Sequence, residues 1–161
     1  MALPLEDIEL IQQLKARYFR SLDRADWETM RASVLAPDAT TAYIGADYRH
    51  EYQGAEAIIA FLSQKMNANG VACHIGHHPE ITVTGAHQAQ GRWYLTDTYI
   101  DFIDKTILTG NGIYEDRYRK IGGEWRIQHT GYTRMYEQVE PIPPHFNLTA
   151  HQLGQVRPPE S

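Results

Sequence analysis

From Leu5 to Leu22, apolar side chains at Leu5, Ile8, Ile11, Leu14, Tyr18 and Leu22 recur every three or four positions, the stripe of a helix lying on a core. Asp26 then precedes Trp27-Glu28-Thr29-Met30-Arg31-Ala32-Ser33-Val34-Leu35, where its carboxylate can accept from the free N–H groups of a short second helix that Pro37-Asp38 ends. Gly54-Ala55-Glu56 opens a third helix in which Ile58, Phe61, Leu62 and Met66 keep the helical period, closing near Asn69-Gly70. Between the second and third helices, Thr40 to Ile44 and Tyr48 to Tyr52 read as short strands around Gly45.

After Gly70 the pattern changes to stretches rich in Tyr, Thr, Ile, Val and Trp over 72–84, 88–103, 106–121 and 124–136, which predict four strands. Gly85-Ala86, Asp104-Lys105 and Gly122-Gly123 separate them by only a few residues, so consecutive strands should pair as an antiparallel meander. Helices first and a long sheet afterwards make an α+β chain. Residues 1–140 form one domain, and 141–161, with Pro141, Pro143, Pro144 and Pro158-Pro159, form an irregular tail expected to pack on a neighbouring subunit. No internal repeat or low-complexity tract interrupts this order.

A length of 161 residues with 42% hydrophobic and 22% charged side chains suits one globular domain large enough to enclose a cavity without disulfides or structural metal. The net charge of -5 and the lack of any basic block argue against nucleic acid as a partner. Apolar runs of only a few residues fall far short of a bilayer span, and Met1-Ala2-Leu3-Pro4-Leu5-Glu6 lacks the basic-then-hydrophobic order of a secretory leader, so a cytoplasmic protein is expected. The single cysteine, Cys73, agrees with a reducing compartment.

Several residues invite chemistry. One face of the 88–103 strand reads Ala89, Gly91, Trp93, Leu95, Asp97, Tyr99, and a carboxylate in that row is costly unless paired, set in a polar cavity or turned to solvent. Tyr18 lies on the core stripe of the first helix, and Asp23 follows at its end. Each alone is equally a packing aromatic or a turn residue. His74, His77 and His78 cluster, and strand alternation puts His74 and His78 on one face unless Pro79 marks a bulge. A base drawn from the three or a metal site are the alternatives, but two same-face His with a distant Asp fall short of three or four converging ligands, so no metal is expected. No phosphate-binding Gly-rich loop, Gly-x-Ser-x-Gly elbow or Cys-x-x-Cys pair is present. The last strands supply Tyr114, Asp116, Tyr118, Trp125, His129, Tyr132, Arg134 and Tyr136, which form either an aromatic-lined pocket with a few polar groups or plain core.

The order of these pieces resembles the SnoaL-like branch of the nuclear transport factor 2 superfamily over residues 5–138. The resemblance lies in Tyr18 to Asp23 followed by Ala25-Asp26-Trp27, Gly54 before the third helix, and His74 four residues ahead of His78-Pro79-Glu80-Ile81. It continues in Tyr94-Leu95-Thr96-Asp97, Tyr114-Glu115-Asp116-Arg117-Tyr118, Gly123-Glu124-Trp125-Arg126-Ile127 and Gly131-Tyr132-Thr133-Arg134. It implies a cystatin-like cone: a strongly curved antiparallel sheet wrapped round three N-terminal helices, with a ligand pocket in its mouth. Within the branch the pattern is similar to cofactor-free bile-acid 7α-dehydratase, scytalone dehydratase and hexachlorocyclohexane dehydrochlorinase. That similarity implies His74 paired with Asp23 as catalytic base and orienter, Tyr18 as a donor, and Asp97 handling the leaving group, as an acid if its pocket is dry. Tyr43, Trp93, Tyr114, His129, Tyr132 and Arg134 are then the substrate-binding candidates. His78 departs from the Asn frequent at its position. The expected activity is elimination from a small alicyclic, steroid-like or polyketide-like molecule without a cofactor. An isomerase or cyclase, or a non-catalytic binder of small hydrophobic ligands, are the alternatives. Aromatic outer-face residues and the resemblance together imply a homotrimer, with a dimer second.

Overall fold

The computed structural model describes residues 4–154. Helix α1 (Leu5–Asp23) buries Ile11, Leu14, Tyr18 and Leu22 of the predicted stripe and adds Lys15, Phe19 and Ser21 to it, while Leu5 at its start is exposed. Asp26 caps α2 (Trp27–Thr29) by accepting from the Thr29 N–H at 3.0 Å, and the chain continues as a π-helical turn over Met30–Val34. Helical structure ends there, before Pro37. Strand β1 (Leu35–Ile44) runs through the proline instead, which lies in an interruption of its pairing between Leu35 and Thr40, where a residue without an N–H does no harm. After β2 (Arg49–Gln53), α3 (Ala55–Ser63) stops earlier than expected because the Asn67 side chain donates to the carbonyls of Ser63 and Gln64.

The four long strands, β3 (Gly70–Gly85), β4 (Gln88–Asp101), β5 (Thr106–Ile121) and β6 (Glu124–Pro141), form the expected meander within a six-stranded sheet of order β2-β1-β6-β5-β4-β3. One pairing departs from the antiparallel rule. Strand β1 runs parallel to β6, with Tyr43 opposite Tyr132, because it enters the sheet from the helical layer at the open side of β6. Register shifts at His77/Glu80, Asn111/Gly112 and Arg117/Tyr118 add local twist, so the sheet curves round α1 without closing. Its inner face carries Ala89, Trp93, Leu95, Tyr114, Tyr118 and Ile127, all buried against α1 and its neighbours. Beyond Pro141 the described part of the tail returns to its own chain. His151 Nε2 lies 3.0 Å from the Gly70 carbonyl oxygen, and Gln152 Nε2 donates to the Asp23 carbonyl at 3.0 Å. The Pro158-Pro159 pair expected in that tail lies outside the described residues.

The β1–β6 join depends on close backbone approach at Gly131, where an added Cβ would overlap the backbone of Ala42. Gly131→Ala should therefore cost about 1–3 kcal/mol of overpacking. At Gly85 a Cβ meets nothing, and Gly85→Ala should stay within about 0.5 kcal/mol of the parent. Urea unfolding of both variants checks the contrast; equal stabilities would contradict it.

Candidate active site

The end of α1 and the first half of β3 face each other, and one carboxylate joins them twice. Asp23 Oδ2 accepts the His74 backbone N–H at 3.0 Å, while Oδ1 lies 2.5 Å from His74 Nδ1. A carboxylate with two accepting oxygens leaves Nδ1 to donate, so Nε2 is the ring nitrogen with a free lone pair. Phe19 stacks nearly parallel to the imidazole, at 9° between planes, and fixes its tilt. His74 also forms part of the wall of a cavity of about 140 Å³, lined mainly by apolar surface and by Tyr18, Tyr43, Tyr114, Tyr132, Phe61 and Met66. On its other side it borders an open cleft with Asp23, Arg20, Arg24 and Gln152. The dyad thus stands between the phenol-lined cavity and an open cleft.

Phenols converge in that cavity. The Tyr18 and Tyr43 hydroxyls are 2.9 Å apart, and both residues are buried, as is Tyr114. Burial pushes all three well above the usual phenol range, so they stay protonated and act as donors rather than bases. Tyr132 is shifted the same way by burial, against the pull of the Arg134 guanidinium, which sits 4.5 Å from its ring centroid.

Other expectations change. Asp97 is buried rather than turned to solvent, and both its oxygens accept from Arg134, at 2.5 Å to Nη1 and 2.8 Å to Nη2, with neither residue lining the cavity. With both oxygens paired to a guanidinium outside the cavity lining, Asp97 is placed to anchor Arg134 rather than to meet a leaving group as an acid. Burial alone would lower the Arg134 pKa, yet the bonds to Asp97 and the contacts with Tyr132 and Tyr48 raise it overall. Trp93 faces inward but lies outside the cavity lining, donating to the Tyr118 hydroxyl at 2.9 Å. His129 points outward: alternation turns it away from Thr130 and Tyr132, and its Nδ1 lies 2.7 Å from Thr40 Oγ1. His78 does not share a face with His74. The bulge that Pro79 foreshadowed puts His78 at φ 50° and folds it back, its Nδ1 2.9 Å from that of His77, beside Tyr94 on the outer surface. Among the described residues no three His, Cys, Asp or Glu side chains are grouped to hold a metal ion, and no helix is long and apolar enough to cross a membrane.

Sequence reasoning missed two features. The α3 wall, Phe61, Leu62 and Met66, follows the period of a packing stripe and carries no separate signal of a cavity. Lys15 is fully buried one turn before Tyr18, 2.8 Å from Asp116 Oδ2 and 3.2 Å from Thr130 Oγ1, with its ammonium 3.6 Å from the Tyr114 ring centroid. Its position four residues after Ile11 and three before Tyr18 was the available signal. Burial lowers its pKa, partly offset by Asp116.

Burial and then Arg117 depress the His129 pKa from 6.5, so the folded state favours the neutral ring. Its contribution to stability is complete above pH 6.5 and is lost as pH falls through the lower folded value. Melting temperature should fall with acidification below pH 6.5, and less steeply in His129→Gln. Parallel slopes for the two proteins in that window would remove His129 as the cause.

Residues 4–131 match the sequence profile of the SnoaL-like domain. Among solved structures, the fold is similar to hexachlorocyclohexane dehydrochlorinase LinA type 2, with TM-score 0.75 at 14% identity over 88% of this chain and 97% of that one. It is equally similar to a putative aromatic ring hydroxylase from Novosphingobium aromaticivorans, with TM-score 0.75 at 20% identity over 87% of this chain and 96% of that one. A putative scytalone dehydratase from the same organism has TM-score 0.73 at 16% identity, over 95% of this chain and 97% of the other. At these identities the structural likenesses speak for the fold alone. The matched profile spans most of the chain, and the protein belongs to the SnoaL-like domain family.

Proposed function

We propose that the protein is a cofactor-independent lyase that eliminates water, or a similar small leaving group, from a cyclic carbonyl compound. The observation that carries this reading is the Asp23–His74 dyad at the wall of a phenol-lined cavity, with Nε2 as its free nitrogen. In the proposed step Nε2 takes a proton from the carbon next to the carbonyl, and the C–H electron pair moves toward that carbonyl. Negative charge developing on the carbonyl oxygen is met by the one O–H of the Tyr18–Tyr43 pair that their mutual hydrogen bond leaves free, a donor already held in place. As the pair returns to form the C=C bond, the C–O bond to the leaving hydroxyl breaks, and the imidazolium gives back its proton to release water. Asp23 holds the ring and stabilises the imidazolium in between.

With Asp97 engaged by Arg134, His74 serves as both acid and base in this scheme. The same economy suits an isomerase that returns the proton to another carbon, which is the second reading. Two structural neighbours are named for a dehydrochlorinase and a putative dehydratase, and this favours elimination.

The test is a panel of cyclic β-hydroxy ketones followed by absorbance of the conjugated enone. His74→Ala should lower the rate by about 10²–10⁴-fold, the usual contribution of a positioned acid–base group. Turnover that survives His74→Ala undiminished would remove His74 from the mechanism, and a shifted double bond without loss of water would favour the isomerase.

A further inference from the structure

We infer that the cavity is built for a substrate with a single six-membered ring and that Phe61 sets this limit. The inference rests on the cavity being the reaction site and narrows what that site accepts. The cavity is half open and has a volume of about 140 Å³. A cavity of about 150 Å³ lined by aliphatic and aromatic side chains takes up benzene, so the walled part holds one substituted ring, and a fused skeleton has to project beyond it.

The walls that impose this size are interlocked aromatic rings borne on different elements. Phe61 of α3 lies against Tyr52 at 4.5 Å between centroids, His50 at 5.1 Å and Tyr43 at 6.1 Å, held from β2 on one side and β1 on another. Tyr132 in turn lies 5.2 Å from Tyr43 and 5.5 Å from Tyr114. Moving Phe61 aside to admit a second ring breaks three aromatic contacts at once, each of the kind that favours offset or edge-on packing. Within these walls, which also carry His74, His50 and Lys65, the Tyr18–Tyr43 hydroxyl pair can serve one oxygen on the ring. The geometry therefore selects a singly cyclic, oxygenated, otherwise apolar molecule over a steroid or polycyclic polyketide.

Binding alone tests this, by calorimetry with phenol and cyclohexanone as one-ring probes, 2-naphthol as a two-ring probe and testosterone as a four-ring probe. The wild-type protein should bind phenol and cyclohexanone and bind 2-naphthol and testosterone at least about tenfold more weakly. Phe61→Ala should tighten 2-naphthol by about tenfold or more, whereas phenol, which loses a wall contact, should bind no more tightly than to the parent. Phe61→Leu, which keeps apolar contact with Tyr52 and Tyr43, should move in the same direction and serves if the alanine variant does not fold. Wild-type protein that binds 2-naphthol as tightly as phenol, or that binds none of the four, would overturn the inference. So would a 2-naphthol affinity unchanged in every Phe61 variant that folds. Size selection without turnover of any β-hydroxy ketone would sink the lyase reading and leave this one standing, whereas His74-dependent turnover with no size selection would do the reverse.

Discussion

Lys15→Ala is expected to lower the stability of the fold by about 3–5 kcal/mol, because it leaves a buried carboxylate without its counter-charge. Asp116 is 2% exposed, and its Oδ1 has no hydrogen-bond partner among the described residues, so Oδ2 depends on Lys15 at 2.8 Å and on the Tyr118 hydroxyl at 2.7 Å. With the ammonium gone, Asp116 keeps only the Tyr118 hydroxyl of these partners, and the ring faces of Tyr18, Phe19 and Tyr114 lose the cation lying 3.6–4.9 Å from their centroids. For a chain of this size the change corresponds to a melting temperature lower by about 6–20 °C. Replacing both charges, Lys15→Met with Asp116→Asn, should recover much of the loss, since the amide still accepts from Tyr118 and no unpaired charge remains buried. Urea denaturation of the two single variants and the double one measures this directly. A Lys15→Ala protein as stable as the parent, or a double variant weaker than either single, would refute the account. The consequence reaches the cavity, because Tyr18 and Tyr114, which stand between the pair and the pocket, are the rings that the ammonium touches.

Local pattern made the meander legible. The stretches 106–121 and 88–103 fall within two residues of β5 and β4 because Gly122-Gly123 and Asp104-Lys105 mark the turns unambiguously. Strand β6 runs five residues past its expected end: Glu137-Gln138-Val139-Glu140 has the polarity of a loop but is held in the sheet by pairing with Ile107 to Gly110 and by the bonds of Glu137 to Arg134 and Tyr48. The parallel join of β1 to β6 had no local signal, because its partners are about ninety positions apart in the chain. In the site, Tyr18 was readable from its helical stripe, and the pairing of Asp23 with His74 from family resemblance; the two residues do meet, at hydrogen-bonding distance. What alternation alone does not give is depth. Trp93 and Asp97 both face inward, yet they pair with Tyr118 and Arg134 and stay outside the cavity lining. Lys15 escaped notice because a lysine among helical apolar positions ordinarily lies at the edge of the stripe with its amine in water. Only the opposing Asp116 makes full burial tolerable.

Asp23→Asn should lower the proposed turnover by about 10⁴-fold while leaving the fold nearly unchanged, and the reason lies in the double role of that carboxylate. Its two oxygens receive two donors, the His74 backbone N–H and the ring Nδ1–H. An asparagine has one oxygen and one NH₂. The backbone N–H can only donate, so the amide oxygen must face it, and the NH₂ is left opposite Nδ1. That forces Nδ1 to accept and moves the ring proton to Nε2, the nitrogen that the mechanism needs bare. Both bonds between α1 and β3 survive, which is why stability should hold within about 1 kcal/mol. Asp23→Ala loses both bonds and should cost rate and stability together. Turnover measures the first effect, and nitrogen NMR of the histidine rings reads the tautomer of His74 with no substrate present. The expected spectrum shows the proton on Nδ1 in the parent and on Nε2 in Asp23→Asn. An asparagine variant that keeps the parent's tautomer and a rate within about tenfold of it would show that Asp23 does not orient the base.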